Sequence, residues 1–487
     1  MGCRSMVIVN HRAAQVMTPQ TENLYAAREP IFPKRVSGTF RNLKWAIMAV
    51  TLGIYYLVPW LRWDRGPNLP DQAVLVDLAH RRFYFFWIEI WPHEFYFVAG
   101  LLIMAGLGLF LFTSALGRVW CGYTCPQTVW TDLFILVERW IEGDRNARIR
   151  LHRAKWTPRK ATLRLLKWTV WALIGVATGG AWVFYFADAP ALANQFLTLT
   201  APTVAWATVA ILTTTTVVLG GFMREQVCIY MCPWPRIQGA MMDDSTLTVA
   251  YRDWRGEPRG KARDATAGDC VDCNACVAVC PMGIDIRDGQ QMECITCALC
   301  IDACDDIMGK LGRDRGLIDY LALSDAPAEQ AGDKPRPIWV HILRPRTILY
   351  SIIWAGFGFA MMYALFIRPE IELTVAPVRN PTLVTLSDGS IRNAYEIRLR
   401  NKHGDPRQFG IHVAGDLDLR VELEGTPYES ITVAPDATHK VRVYVTTPSQ
   451  SDAARADETP IRFWIEDLGN GERASVNTIF NGTGEPG

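Results

Sequence analysis

The sequence predicts a multi-domain membrane protein. It has an α-helical transmembrane bundle of about five spans, a cysteine-rich module on one side of the membrane and an immunoglobulin-like β-sandwich at the C-terminus. Three observations carry this reading. Five stretches reach the length and apolarity of a bilayer crossing. Of the 13 cysteines, all but Cys3 fall between Cys121 and Cys304. From about residue 370 the texture changes to short alternating stretches separated by turn residues. At 487 residues and 50% hydrophobic composition the chain is too long for one ordinary domain and too apolar for a disordered one. A mean hydropathy of +0.07 fits apolar spans joined to soluble parts. The formal net charge is +1, so no global basic field points to nucleic acid. The 18 tryptophans suit membrane interfaces. Cysteines confined to the middle of a long chain exclude a secreted disulfide scaffold.

Residues 1–42 read as a polar cytoplasmic segment. No apolar run follows the first positive charge, so no signal peptide is expected. Met6 stands where a myristoylation pattern has Ser or Thr. Cys3 is read as incidental.

The membrane domain is placed at 43–240. Its spans are expected at about 43–61, 94–116, 165–187 and 201–222, with a fifth span at 347–367. Residues 128–142 are apolar on one face but carry Asp132, Glu138 and Arg139. They read as an amphipathic helix at the interface. Lys and Arg crowd the stretch 143–167, from Arg145 to Lys167, and are absent from 188–200. They recur at 28–44 and 334–346, whereas 62–92 balances its arginines with acids. The positive-inside bias then puts the N-terminus in the cytoplasm, with five crossings and the C-terminus outside. The cysteine-rich segment at 241–346 is cytoplasmic in this arrangement.

The C-terminal region, 370–487, reads as seven or eight short strands. Among them are IELTVAP, AYEIRLRN, HKVRVYVTT and PIRFWIED, punctuated by Asp388-Gly389, Gly404, Gly415, Gly425 and Gly469-Asn470-Gly471. That spacing predicts a β-sandwich of immunoglobulin type. It contains no cysteine. His403, His412 and His439 are weighed as metal ligands, and a docking or structural role is preferred.

The strongest chemical signal is Cys270-x2-Cys273-x2-Cys276-x3-Cys280-Pro281, followed by Cys294-x2-Cys297-x2-Cys300-x3-Cys304. This is the spacing of a bacterial ferredoxin with two [4Fe–4S] clusters. Three closely spaced thiolates cap three irons, and in the two-cluster fold the fourth ligand comes from the other run. Cys270, Cys273, Cys276 and Cys304 are assigned to one cluster. Cys294, Cys297, Cys300 and Cys280 are assigned to the other. The second run continues Cys304-Asp305 and lacks the proline. Structural zinc is the competing reading, and these runs are poor zinc-ribbon spacing. The segment is an electron-transfer module.

Two further motifs follow spans directly: Cys121-Gly-Tyr-Thr-Cys125-Pro126 after the second and Cys228-Ile-Tyr-Met-Cys232-Pro233 after the fourth. In each case the order is span, arginine (Arg118 or Arg224), then Cys-x3-Cys-Pro, so the pair reads as an internal repeat of helical hairpins. In a helix, positions i and i+4 share a face, so each thiol pair would point one way. Two pairs meeting between helices would present up to four thiolates. Soft thiolates suit Cu(I), Zn(II) or an iron–sulfur cluster. A disulfide and plain buried cysteines are the alternatives. Met223, Met231, Met241 and Met242 lie nearby and are read as packing rather than thioether ligands.

No C-x-x-C-H haem motif, Rossmann fingerprint or phosphate loop is present. No haem and no NAD(P) site is therefore expected. Electrons must come from a partner protein, a quinol or a small reductant.

The run from Gly117 through Cys121, Cys125 and Pro126 to Asp132 and the stretch IEGDRNAR at 141–148 resemble the FixG/RdxA/CcoG family of cytochrome c oxidase accessory proteins. So do Arg236-Ile-Gln-Gly-Ala-Met-Met-Asp243, Arg255-Gly-Glu-Pro-Arg-Gly260 and the ferredoxin segment. The resemblance runs from about Leu24 into the sandwich. It implies a protein of the bacterial inner membrane that supports assembly of the cbb3-type oxidase. It also implies cupric reductase activity, with Cys121, Cys125, Cys228 and Cys232 as catalytic and candidate copper-binding residues. By the same resemblance the partners are a copper-exporting ATPase or copper chaperones and oxidase assembly factors. Two other functions compete. One is an iron–sulfur relay between a quinol or ferredoxin and a membrane partner. The other is a scaffold without redox chemistry.

Overall fold

The computed structural model describes residues 30–484 apart from 68, 264–265, 335, 369–370, 403–404, 415–417, 426–429 and 436. Cys3, Met6 and His403 lie outside the described residues. Helix α1 spans Thr39–Leu57. A three-stranded antiparallel meander follows: β1 Val74–Asp77, β2 Arg82–Phe85 and β3 Ile88–Ile90. Next come α2 Tyr96–Leu116, α3 Val119–Tyr123, α4 Pro126–Glu142 and α5 Arg145–Arg153. Then α6 Pro158–Val183, α7 Ala189–Leu197 and α8 Thr203–Thr216 lead into π-helical turns at Val217–Met223 and Val227–Met231. Helix α9 is Trp234–Met241.

The cysteine-rich module contains β4 Thr248–Tyr251, α10 Asp253–Gly256, α11 Ala275–Val279, α12 Leu299–Leu311, β5 Ile318–Leu321 and α13 Ala326–Gln330. β4 and β5 pair antiparallel. A short α14, Ile338–Ile342, leads into α15, Pro345–Phe366.

Among the described residues, four helical segments are long and apolar enough to cross a membrane: Thr39–Trp60, Tyr96–Leu116, Thr203–Met223 and Pro345–Phe366. The span expected at 165–187 falls in α6, which has the length at 26 residues but is less apolar. Lys167 lies within its apolar stretch and is buried against Glu138 and Glu142 of α4 at 3.3 and 3.0 Å. The C-terminal end of α6 nevertheless lies beside that of α1. Near one end Tyr185 donates to the carbonyls of Ile54 and Tyr55, and Gln72 donates to that of Phe184.

Helix α4 departs from an interfacial helix with its charges in water. Asp132 pairs with Arg41 at 2.9 Å and lies 3.8 Å from Lys44. Glu138 gathers Arg148 at 2.7 Å, Lys167 and Arg224. Glu142 takes Lys167 and Arg164. The acidic face of α4 is therefore turned inward, because basic residues of α1, α5, α6 and the second π-hairpin surround it. Buried carboxylates persist only when paired in this way.

The C-terminal domain is a two-sheet sandwich. Its strands are β6 Ile371–Pro377, β7 Val384–Thr385, β8 Ile391–Asn401, β9 Arg407–Ala414, β10 Arg420–Leu423, β11 Ser430–Val433 and β12 Thr438–Thr447. After a helical turn, α16 Asp452–Arg455, come β13 Glu458–Asp467 and β14 Arg473–Asn481. One sheet has the order β10-β12-β8-β6, with β7 added to β8. The other has the order β11-β9-β13-β14. Alternating residues such as Tyr395, Ile397, Leu399, Phe463 and Ile465 are fully buried between the sheets, as a period of two requires. The Tyr395 hydroxyl donates to the Ile479 carbonyl at 2.8 Å and ties the sheets together. His412 stacks on Trp464 at 4.3 Å, which is a packing role. The sandwich docks on the meander end: Lys402 pairs with buried Glu94 at 3.2 Å, and Arg368 also reaches Glu94. The cysteine motifs lie at the opposite end of the bundle.

Candidate functional site

The two cysteine runs of the module share a backbone device. Asp272 and Asn274 flank Cys273, and Thr296 and Ala298 flank Cys297; all four have positive φ, from 48° to 58°. Left-handed conformations at non-glycine residues are unfavourable and cluster at functional sites. Alternating them with right-handed residues turns successive N–H groups inward, as in the nests that hold anionic iron–sulfur centres. The runs therefore fit a [4Fe–4S] group on their backbone as well as on their thiols. Arg287 fastens the first run by bonding Asp272 at 2.7 Å as well as Asp285.

The thiols sort into two sets. Cys304 faces the charges of Cys276, Cys273 and Cys270, and Cys280 faces those of Cys297 and Cys294. Cys300 lies among Cys297, Cys294 and Cys280, with Cys276 also near. The two cysteine runs thus lie side by side. Burial pushes Cys276 up to about 11 and Cys280 and Cys304 up to about 12, so these thiols stay neutral until a metal displaces their protons. Cys273 is exposed and marks the solvent edge of the first set.

The module is fastened to the membrane domain through its ligand-bearing segments. Asp302, between Cys300 and Cys304, accepts the N–H groups of Phe40 at 3.2 Å and Arg41 at 2.7 Å. It caps α1 from another domain, where a negative charge is favoured. Gly38 makes room for it: an added Cβ there would lie 2.3 Å from the Asp302 carboxyl carbon.

The second set of thiols lies directly on the first Cys-x3-Cys-Pro turn. Cys121 packs in one apolar cluster with Cys297, Met282 and Ile295, with Cys228 and Cys280 at its margin. Gly122 touches the module's main chain: a Cβ there would meet the Ile295 carbonyl oxygen at 2.7 Å and the Cys297 Cα at 3.0 Å. The Tyr123 hydroxyl donates to the Cys297 carbonyl at 3.2 Å, and Arg118 donates to that of Met292.

Cys121, Cys125, Cys228 and Cys232 come together as the repeat predicts. Cys228 feels the charges of Cys125, Cys121 and Cys232, and Cys121 those of Cys125 and Cys232. Burial is the main cause pushing Cys121 up to about 11 and Cys228 up to about 12. Neither pair lies on one continuous helical face. Cys125 and Cys232 are extended, with ψ of 128° and 124°, because each precedes a proline that disfavours the helical region. Gln238 links the two turns. It is fully buried, accepts from the Cys121 thiol at 3.1 Å and donates to the Thr113 hydroxyl.

Among the described residues, no group of three or more His, Cys, Asp or Glu side chains converges on a single-ion geometry. Sequence reasoning did not single out Gly122, Tyr123, Gln238 or Asp302 by role. Each lies inside or beside a quoted motif, which was the available signal.

Comparison with known proteins agrees with this layout. Residues 223–323 match a family described as a 4Fe-4S dicluster domain, and residues 97–145 match a 4Fe-4S binding domain. Residues 361–483 match the IG-like fold at the C-terminal of FixG. Protein RdxB of Cereibacter sphaeroides is 65% identical over 96% of this chain and 98% of its own length. Protein RdxA of the same organism is 64% identical over 95% and 99%. The nitrogen fixation protein FixG of Rhizobium meliloti is 53% identical over 98% and 96%. The thiol sets, the four apolar helices and the sandwich are thus parts of one family architecture, and the chain belongs to the FixG/RdxA family.

Proposed function

We propose that this protein is a membrane-bound iron–sulfur cupric reductase, converting Cu(II) to Cu(I) at Cys121, Cys125, Cys228 and Cys232. The carrying observation is the contact of Gly122 with the main chain of Cys297, which sets the thiol quartet against the second cysteine set. Cys270, Cys273, Cys276 and Cys304 would hold one [4Fe–4S] group, and Cys280, Cys294, Cys297 and Cys300 the other. When bound, these groups supply electrons one at a time. The quartet's task is to take Cu(II) as substrate, lose thiol protons and stabilise the Cu(I) product, which soft thiolates favour. Gln238 holds Cys121 in place, and Arg118 and Tyr123 keep the turn on the module.

The biological setting follows the family. The protein would sit in the bacterial inner membrane with its N-terminus and cysteines in the cytoplasm and the sandwich in the periplasm. The contact between the C-terminal ends of α6 and α1 supports a fifth crossing. The Cu(I) would pass to a copper-exporting ATPase or chaperones for cbb3-type oxidase assembly.

The test uses anaerobically reduced protein. Cu(II) is added, reoxidation is followed optically, and a Cu(I)-specific chelator reports product. Rapid reoxidation with matching Cu(I), lost when the four cysteines become serine, is expected. Intact centres that ignore Cu(II) would sink the reading. A second reading, an electron relay without copper, draws on the match of residues 97–145 to a 4Fe-4S binding domain. It predicts extra iron that disappears in the quadruple serine variant.

A further inference from the structure

A cavity of about 640 Å³ lies where the membrane bundle meets the module. Its apolar wall is built by Leu43 and Ile47 of α1, Phe112 of α2 and Trp120 of α3. Leu43, Phe112 and Trp120 are exposed, so the cavity opens at the level of the spans. Its other end is polar and carries Tyr123, Tyr320, Asp319 and Arg252. That end abuts the second cysteine set: Tyr123 donates to the Cys297 carbonyl at 3.2 Å and Tyr320 to that of Thr296 at 3.4 Å. Phe40 packs on the Tyr320 ring at 5.7 Å. Of these side chains only Tyr123 also supports the turn that carries the thiol quartet.

We propose that this cavity binds a membrane quinol, the electron donor for the function proposed above, on which this inference rests. The volume is in the range of small-molecule sites, and an apolar body with a few convergent polar groups is their usual composition. An isoprenoid tail would leave along Leu43 and Phe112 into the bilayer, with the ring between Trp120 and the two tyrosines. The phenols and Asp319 supply one donor or acceptor for each ring oxygen. A phospholipid headgroup matches less well. Of the two guanidiniums that line the cavity, Arg252 bonds Glu329 at 2.7 Å and the Gly316 carbonyl and lies 3.6 Å from Asp319, and Arg336 lies 3.6 Å from Asp325. Oxidation would follow QH2 → Q + 2 e⁻ + 2 H⁺. The two electrons go singly to iron–sulfur centres of the module. The first proton goes to Asp319, which is half-exposed and opens to the aqueous side, where both protons leave.

The test uses the full-length protein in detergent, purified anaerobically with its iron retained. A short-chain ubiquinone analogue is titrated calorimetrically against wild type, Leu43→Trp, which fills the cavity mouth, and Tyr320→Phe. Saturable binding is expected, weakened at least tenfold by Leu43→Trp and severalfold by Tyr320→Phe. The analogue's quinol form should bleach the visible iron–sulfur absorption. Asp319→Asn should slow that bleaching at least tenfold with binding changed less than twofold. No saturable binding, equal binding by Leu43→Trp, or phospholipid retained in place of quinone would each overturn the proposal. Iron content and circular dichroism exclude misfolded variants. Dithionite reduces the protein without using this cavity. Cu(II) reoxidation of dithionite-reduced protein therefore fails only if the copper function fails.

Discussion

The first Cys-x3-Cys-Pro turn continues as ordinary α-helix, with Cys121 inside α3 and Cys125 capping α4, whereas the second is wound as π-helix around Cys228. Arg118 and Arg224 each lie between a span and its cysteine turn but grip different partners. Arg118 donates to Met292 of the cysteine module, and Arg224 to Glu138 of α4. Residues of the first turn are buried against Ile295 and Cys297, while Tyr230 and Met231 of the second are largely exposed. A duplicated sequence has thus been divided between two tasks. One turn is a rigid joint to the electron-carrying module. The other is a looser, more accessible arm of the thiol quartet, wound in a form that often marks functional sites. The repeat supplies four thiols, and the asymmetry decides from which side each is reached.

The comparison can be broken most severely at Glu138. Glu138→Ala would leave Arg148, Lys167 and Arg224 without their shared anion, and removing one partner of a buried ion cluster costs about 3–5 kcal/mol. The second hairpin should detach first, seen as a large fall in melting temperature and faster alkylation of Cys228 and Cys232 than of Cys121. The carboxyl is held below its usual range: burial pushes it up, but Arg224, Arg148 and Lys167 outweigh that.

The joint itself is probed at Gly122. Gly122→Leu forces atoms into the Cys297 main chain, and overpacking of this kind costs about 1–3 kcal/mol. Iron content should fall by about half, while a leucine at the matching position of the second repeat, Ile229→Leu, leaves it unchanged. Similar iron loss from both variants would mean the turns are not divided as described.

Gln238→Ala tests the bridge between the turns. It removes the acceptor of the buried Cys121 thiol and a donor to the Thr113 hydroxyl, a loss of about 1–3 kcal/mol. A severalfold rise in KM for Cu(II) with intact iron is expected. Unchanged KM would mean that Gln238 only packs.

The smallest effect is expected at Asp243, which ties the second turn to the last span. It bonds Arg344 at 2.5 Å and Arg346 at 2.7 Å. Burial opposes ionisation, but the two guanidiniums and Thr246 hold the carboxyl at about 2. A depressed folded value gives stability that is complete above the unfolded value near 4 and lost as pH falls toward 2. The pair is partly exposed, so Asp243→Asn should cost about 0.5–1 kcal/mol at pH 7. That difference from wild type should vanish as the pH approaches 2.

The eight-cysteine module, four of the apolar helices and the sandwich were legible in the chain because each carries a local period: thiol spacing, sustained apolarity, or alternation. The meander at 74–90 was missed because VLVD and RFYF do not alternate and its short strands lie in a loop between spans. The inward turn of the α4 acids was not legible because they find their cations on four separate segments. By itself the sequence determined which residues carry the chemistry and the order of the domains. Only the tertiary structure decided that Gly122 meets Cys297, that Asp302 caps α1 from another domain, that the repeated turns are unequal, and that Tyr123 and Tyr320 close an apolar cavity. Those outcomes depend on packing between segments far apart in the chain, and that packing leaves no local pattern to read.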